Sequence, residues 1–180
     1  MKLFIDTSNS ILVFSLINSD DNVEDFIAYK VNKNATVISI DLLKAFMKKN
    51  KFSFVDIDTY YFIIGPGSFT GIRIVLNILG SINLVYKNLN FYTISSFDFF
   101  KEKNKKFVYV PFGKNKFYLK KYSFFKRNFK IVKNIEKKNK NLSVVAYKNF
   151  NENKLEYLIK NKKFKKLKSL DKVKLIYGVK

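Results

Sequence analysis

The chain has 180 residues, with 35 Lys or Arg against 14 Asp or Glu, a formal net charge of +21, and neither Cys nor His. Without Cys there are no disulfides and no thiol chemistry; without His as well, a metal site would have oxygen ligands alone, which excludes the usual zinc centres. No long apolar run free of charge occurs and Asp6 interrupts the start too early for the apolar core of a signal peptide, so a cytoplasmic protein with no membrane partner is expected.

The charge is divided unevenly. Residues 1–100 hold nine basic and nine acidic side chains, and residues 101–180 hold 26 basic and five acidic. Of the basic residues 33 are Lys, in a chain rich in Asn, Ile and Phe and without Trp, a bias that an AT-rich coding sequence imposes. Such a bias acts on the whole chain and does not predict the division. The basic half suits RNA phosphates or an acidic partner; the alternative is an ordinary solvated face, as the Lys spacing in FKKLKSLDKVKL suggests.

In chain order, Lys2 to Asp6 reads as a short apolar strand ending at a carboxylate, Thr7-Ser8-Asn9 as a polar turn, and Ile11 to Ile17 as a second strand. NSDDN at Asn18 to Asn22 is a hairpin-like loop, followed by a third strand to Val31. Asn34 to Asn50 carries Val37, Ile40, Leu43, Phe46 and Met47 on one helical stripe, and Phe52 to Asp58 is a connector.

The organising stretch is Tyr60 to Gly80. Tyr60 to Ile64 is an aromatic and β-branched run, as in a buried strand; Gly65-Pro66-Gly67-Ser68 breaks it; and apolar residues from Thr70 to about Tyr86 fall on helical spacing. Ser68 or Thr70 is placed to cap that helix. Strand, glycine turn and capped helix present unpaired N–H groups and a positive dipole end, which favour an anion; a tight corner with no ligand has the same pattern. The turn is neither a Walker A loop nor a dinucleotide fingerprint. The helix is apolar on most of its circumference, so either both faces pack inside the chain or one is a protein interface, with Gly80 allowing close approach of another backbone. Arg73, one of two arginines, lies in its first turn and could pair with Asp6, bind an anion or anchor an interface.

Phe91 to Ile94 is a further strand, and Ser95-Ser96 caps a helix from Phe97 to Asn104. Beyond Lys105 the expected strands are Phe107 to Phe112 and Lys116 to Phe125, joined at Gly113-Lys114-Asn115, then Phe129 to Val132 and Leu142 to Tyr147. Glu152 to Leu167 reads as helix and Val173 to Tyr177 as a last apolar piece.

Two strings, Phe4-Ile5-Asp6-Thr7-Ser8 and GPGSFTGIR at Gly65 to Arg73, resemble the TsaB (YeaZ) family, the bacterial partner subunit in threonylcarbamoyladenosine modification of tRNA. The likeness covers residues 1–98 well and the rest poorly. It implies an α/β, actin-like ATPase fold (ASKHA, ribonuclease H-like): a first lobe over 1–104, in the order βββαβαβα, and a shortened, strongly basic second lobe over 105–180. In that fold the first hairpin turn touches phosphate, and Asp6-Thr7-Ser8 resembles the turn with its glycine missing. The resemblance makes Asp6, Thr7, Ser8, Gly65, Gly67, Ser68, Thr70, Gly71 and Arg73 the candidate anion- or nucleotide-binding residues. Asp6 reads equally as a carboxylate that forms its own turn. Ile72, Val75, Leu76, Leu79, Gly80 and Ile82 are the candidate partner interface, because this helix looks like the one that pairs subunits in the family.

The implied function is non-catalytic support of a TsaD-type enzyme that moves threonylcarbamoyl from its adenylate to the tRNA adenosine beside the anticodon, with a TsaE-type ATPase in the assembly. TsaD holds its metal with histidines, absent here, so no catalytic residue, metal or cofactor is assigned to this chain. ATP or ADP at a complex interface, a homodimer, and tRNA contact through the basic lobe are further expectations. The sequence departs from the family at Ala35-Thr36, where a histidine lies near the helix start, and at Pro111, Gly113 and Lys116-Phe117-Tyr118, where the family has charged positions. Two other classes fit the residues. One is an ATPase or phosphotransferase using Asp6, Thr7 and the Gly65 to Gly71 turn; the other is an RNA-binding module built on Phe117, Tyr118, Tyr122, Phe124 and Phe125 among lysines. A peptidase is disfavoured, since no nucleophile–base pair is visible.

Overall fold

A computed structural model describes residues 1–31, 35–103, 105–111, 116–122, 129–133, 142–144, 151–173 and 175. The chain begins as a β-meander, β1 (Lys2–Asp6), β2 (Ile11–Ile17) and β3 (Val23–Lys30), and continues into α1 (Ala35–Lys49), a single 3₁₀ turn at Phe54–Asp56, β4 (Thr59–Ile63), α2 (Phe69–Val85), β5 (Asn90–Ile94) and α3 (Ser96–Phe100). There follow β6 (Phe107–Pro111), β7 (Lys116–Lys121), β8 (Phe129–Lys133), β9 (Leu142–Val144), α4 (Glu152–Lys160) and β10 (Lys165–Lys166).

One sheet of six strands runs β10-β5-β4-β1-β2-β3. β1, β4 and β5 are parallel to one another, while β2, β3 and β10 run antiparallel to their neighbours. The central strands are buried on both faces, which is why they read as continuous apolar runs; β3, at an edge, alternates half-buried and exposed residues. Successive side chains point to opposite faces and build two cores. Leu3, Ile5, Phe14 and Leu16 pack with Leu43, Phe46 and Met47 of α1 and Val75, Leu79 and Ile82 of α2. On the other face Phe4, Val13, Ile17, Tyr61 and Ile63 meet Phe99, Leu155, Leu158, Ile159 and Phe164. Helices cover both faces of the sheet in a mixed α/β arrangement.

A second sheet, β8-β7-β6-β9, meets the first through Phe97, which packs with Val108, Val110 and Tyr118. The chain then returns: α4 and β10 belong to the first sheet's layers, not the second's. The stretch 105–180 is therefore divided between two cores. The helix expected over Glu152 to Leu167 ends at Lys160, where Lys162 takes a left-handed conformation (φ 51°) and the amides of Asn161, Lys162 and Lys163 close the last turn. The helix expected over Phe97 to Asn104 stops at Phe100, and Asn104 lies outside the described residues. So do the turn Gly113-Lys114-Asn115, the outer parts of the strands expected to Phe112, Phe125 and Tyr147, the start of the first helix at Asn34, and most of Val173 to Tyr177.

Phe164 closes the second core, edge-on to Phe4 at 6.3 Å and to Tyr61 at 5.0 Å between ring centroids. Phe164→Ala should lower stability by about 3–5 kcal/mol in urea unfolding; a change within experimental error would show that the returning segment contributes nothing to the first sheet's core.

Candidate functional site

The two strings singled out in the sequence meet. β1 and β4 are parallel neighbours, Ile5 beside Phe62, so the turn after β1 and the corner after β4 emerge side by side. Asp6, Thr7 and Ser8 are all buried. The Ser8 amide donates to Asp6 Oδ1 at 2.7 Å, so Asp6 acts as the carboxylate of its own turn. Thr7 Oγ1 donates to the Gly71 carbonyl at 2.6 Å, and the Ser68 amide donates to the Ser8 carbonyl at 2.7 Å.

The glycines explain how the backbones come so close. A methyl group on Gly71 would overlap the Thr7 carbonyl oxygen, and one on Gly67 would overlap that of Ser8. Gly65 has φ 92°, the left-handed region that favours glycine, and its peptide bond to Pro66 is cis. Its carbonyl accepts the Ser96 amide at 2.7 Å. Ser68 caps α2, its hydroxyl accepting the Gly71 amide at 3.1 Å; Thr70 is exposed and does not serve as the cap. The structure therefore brings Asp6, Thr7, Ser8, Gly65, Gly67, Ser68 and Gly71 together, with the Thr7 and Ser8 carbonyls close against Gly71 and Gly67 and several of these groups bonded to one another. Arg73 stays outside. It is exposed with its guanidinium 4.0 Å from the centroid of Phe69, and among the described residues it forms no ion pair, with Asp6 or with any other carboxylate.

α2 is apolar almost all round because it packs within the chain against α1, the sheet and the 3₁₀ turn at Leu170–Lys172. Ile72, Val75, Leu79 and Ile82 are buried, which corrects their reading as partner-facing residues; Leu76 and Gly80 are half-buried. The surface left open lies between α1 and α2. A groove of about 250 Å³ is lined by Ile40, Leu43, Phe54, Ile74, Ile78 and Ile82, with Lys44, Asn77 and Ser81 as its polar members. Val37, one turn before Ile40, is 65 % exposed, and Leu84 and Val85, at the end of α2, are 78 % and 70 % exposed. Sequence reasoning found the helix but missed this stripe. Its signal was Val37 and Ile40, which share a helical stripe with core residues yet begin it on the outer side.

Where the two sheets meet, Asp98 accepts hydrogen bonds from Ser95 Oγ (2.6 Å), Tyr122 Oη (2.8 Å) and Lys120 Nζ (3.0 Å). Burial works against its charge, but these bonds outweigh burial and hold the carboxyl below its ordinary range. Burial, and then the Asp98 charge, push the Tyr122 hydroxyl up. The ring of Tyr122 lies under both Lys101 and Lys120, each 4.7 Å from its centroid, and Tyr118 is buried. These aromatics are engaged inside the chain and are not free platforms for bases; Phe124 and Phe125 lie outside the described residues. Those residues contain no cluster of carboxylates able to hold a metal ion and no helix long and apolar enough to cross a membrane.

No protein-family model matches the chain. An uncharacterized Mycoplasma genitalium protein, MG208, is 34 % identical over 99 residues, which are 54 % of this chain and 50 % of that protein; the match thus spans half the length of the curated relative. Two solved structures from Pseudomonas aeruginosa share the fold. One is an uncharacterized protein with similarity to peptidase YeaZ (TM-score 0.58, 12 % identity, 73 % of this chain and 66 % of that one). The other is YeaZ (TM-score 0.54, 13 % identity, 74 % and 64 %). This chain has a YeaZ-like fold.

The two helical glycines of α2 should respond oppositely. Gly71→Ala should destabilise by about 3 kcal/mol, since the obstruction is backbone, whereas a methyl on Gly80 meets nothing within 4 Å and Gly80→Ala should stabilise by about 0.5–1 kcal/mol in chemical unfolding. Equal effects would mean that Thr7 does not press on the helix. For Asp98 the depressed folded value gives stability that is complete above its ordinary pKa of 3.8 and lost as pH falls through the folded value. The stability gap between the wild type and Asp98→Asn should therefore be full at about pH 6 and close steadily below about pH 4. A gap unchanged down to about pH 2 would remove the carboxylate from the account.

Proposed function

We propose that this chain is a TsaB-type, non-catalytic partner subunit with an actin-like first lobe, acting in threonylcarbamoyladenosine modification of tRNA. On this reading it docks a TsaD-type catalytic subunit along the α1–α2 groove. The observation that carries the proposal is that groove: a largely apolar recess between α1 and α2 of a YeaZ-like fold, with Ile40 exposed on its lining and Val37 exposed one turn before it. Exposed apolar surface of this extent is stabilised by covering it. The resemblance of the GPGSFTGIR string to that family is what supports a TsaD-type partner. A TsaE-type ATPase in the same assembly, nucleotide between subunits and tRNA against the basic segments belong to the same proposal, as does the absence of a catalytic residue in this chain.

The phosphotransferase reading has less support, because it needs the Asp6–Ser8 turn and the Gly65–Gly71 corner to open around a nucleotide. Their mutual hydrogen bonds would have to break, and backbone rather than a flexible side chain would have to move.

The test mixes this chain with the TsaD-type enzyme of the same genome and measures mass by size exclusion with light scattering. A one-to-one complex is expected, weakened at least about tenfold by Val37→Glu or Ile40→Glu, exposed sites where a charge leaves the fold intact but blocks an apolar contact. Absence of a complex, or a complex indifferent to both substitutions, would overturn the proposal; a homodimer broken by the same substitutions would place the groove between copies of this chain.

A further inference from the structure

At the junction of the two sheets, apart from the groove and next to the start of the glycine corner, lies a second cavity of about 300 Å³, lined by Ile64, Thr93, Ile94, Ser95, Phe97, Asp98, Lys120, Phe129, Lys163 and Lys165. Its volume is at the lower end of the range for small-molecule sites. Three features mark it as a built anion site.

First, its lysines come from separate parts of the chain: Lys120 from β7, Lys163 from the turn after α4, and Lys165 from β10. Second, the charge is not cancelled. Asp98 is the one carboxylate in the lining, and it is already paired with Lys120. Lys163 and Lys165 form no ion pair among the described residues, which leaves two cations facing a cavity with no acid to answer them. Third, the segment that carries the two lysines turns sharply beside the cavity. Lys162 adopts φ 51°, unusual for a residue with a side chain, the chain bends again at Phe164, and Lys165 then lies beside Thr93. Phe164 enters the core and Lys166 lies over Tyr92, while Lys163 and Lys165 line the cavity. Opposite the lysines the wall is apolar: Ile64, Ile94, Phe97 and Phe129.

We propose that this cavity binds a small organic phosphomonoester, its phosphate between Lys163 and Lys165 and its apolar body against Phe129. Two ammonium groups match the near-double charge of a phosphomonoester at neutral pH, whose second ionisation lies near pH 6. The site is independent of the partner groove, with which it shares no lining residue.

The experiment uses the full chain and phenyl phosphate as the probe, followed by titration calorimetry. Saturable one-site binding is expected, stronger at about pH 7.5 than at about pH 5.5 as the phosphate gains its second charge. Binding should weaken about tenfold or more in the double variant Lys163→Gln/Lys165→Gln, whose exposed side chains leave the backbone pairing of β10 in place, and stay unchanged in Lys87→Gln, an exposed lysine outside the cavity. Inorganic phosphate should bind more weakly than phenyl phosphate, because it leaves the apolar wall uncovered. Lack of saturable binding, indifference to the double variant, or equal affinity for inorganic phosphate would each overturn the proposal. So would a single-stranded RNA that needs the same two lysines but is not displaced by phenyl phosphate, since the lysines would then serve a nucleic-acid backbone.

Discussion

The six-stranded sheet and its helices depend on one close approach. The carbonyls of Thr7 and Ser8 press onto Gly71 and Gly67, where side chains would stand on any other residue, and the hydrogen bonds Thr7 to Gly71 and Ser68 to Ser8 hold them there. The Asp6–Ser8 turn is buried, so its polar groups must find partners within the chain, and Thr7 and Ser8 find theirs in the glycine corner and the start of α2. The contact fixes the start of α2 relative to the ends of β1 and β4. That placement sets Val75 and Leu79 over the sheet and leaves Ile74 and Ile78 facing α1. The groove between α1 and α2 is thus a downstream consequence of two missing Cβ atoms.

The same contact shows why a glycine-rich corner is ambiguous in sequence. Glycine before a helix lets a phosphate approach the backbone, and it lets another backbone do so. The pattern GPGS is identical in the two cases. What separates them is the residue that arrives opposite, and Thr7-Ser8 lies some sixty positions earlier, a distance local pattern does not bridge. By contrast the strands Lys2–Asp6 and Ile11–Ile17 were legible to the residue, since each is a continuous apolar run bounded by polar turns.

Elsewhere legibility failed for different reasons. The end of α4 carries no Gly or Pro; a lysine takes the left-handed position glycine usually marks, and the Lys-rich stretch reads on as helix. For α2, an apolar circumference says that neighbours exist but not which they are. The core between the sheet and α1 took Val75, Leu79 and Ile82, and the residues that stayed open, Val37 and Ile40, sit on a helix that reads as ordinarily amphipathic.

The uneven charge can then be given a physical meaning. Part of the lysine excess is structural: Lys154 lies over Phe99 and Phe100, Lys166 over Tyr92, and Lys101 and Lys120 over Tyr122, each set against an aromatic ring. Burial lowers the pKa of Lys154 in particular, with the Glu102 charge opposing the shift. An apolar groove works best without a strong field of one sign, since like charge on two partners opposes contact. The groove is drawn from residues 40–82, in the half whose charges balance. The junction cavity draws its lysines from residues 120–165, in the half that carries the whole net charge. A field concentrated there favours anions close to the cavity, because at physiological salt it decays within about 8 Å of the surface.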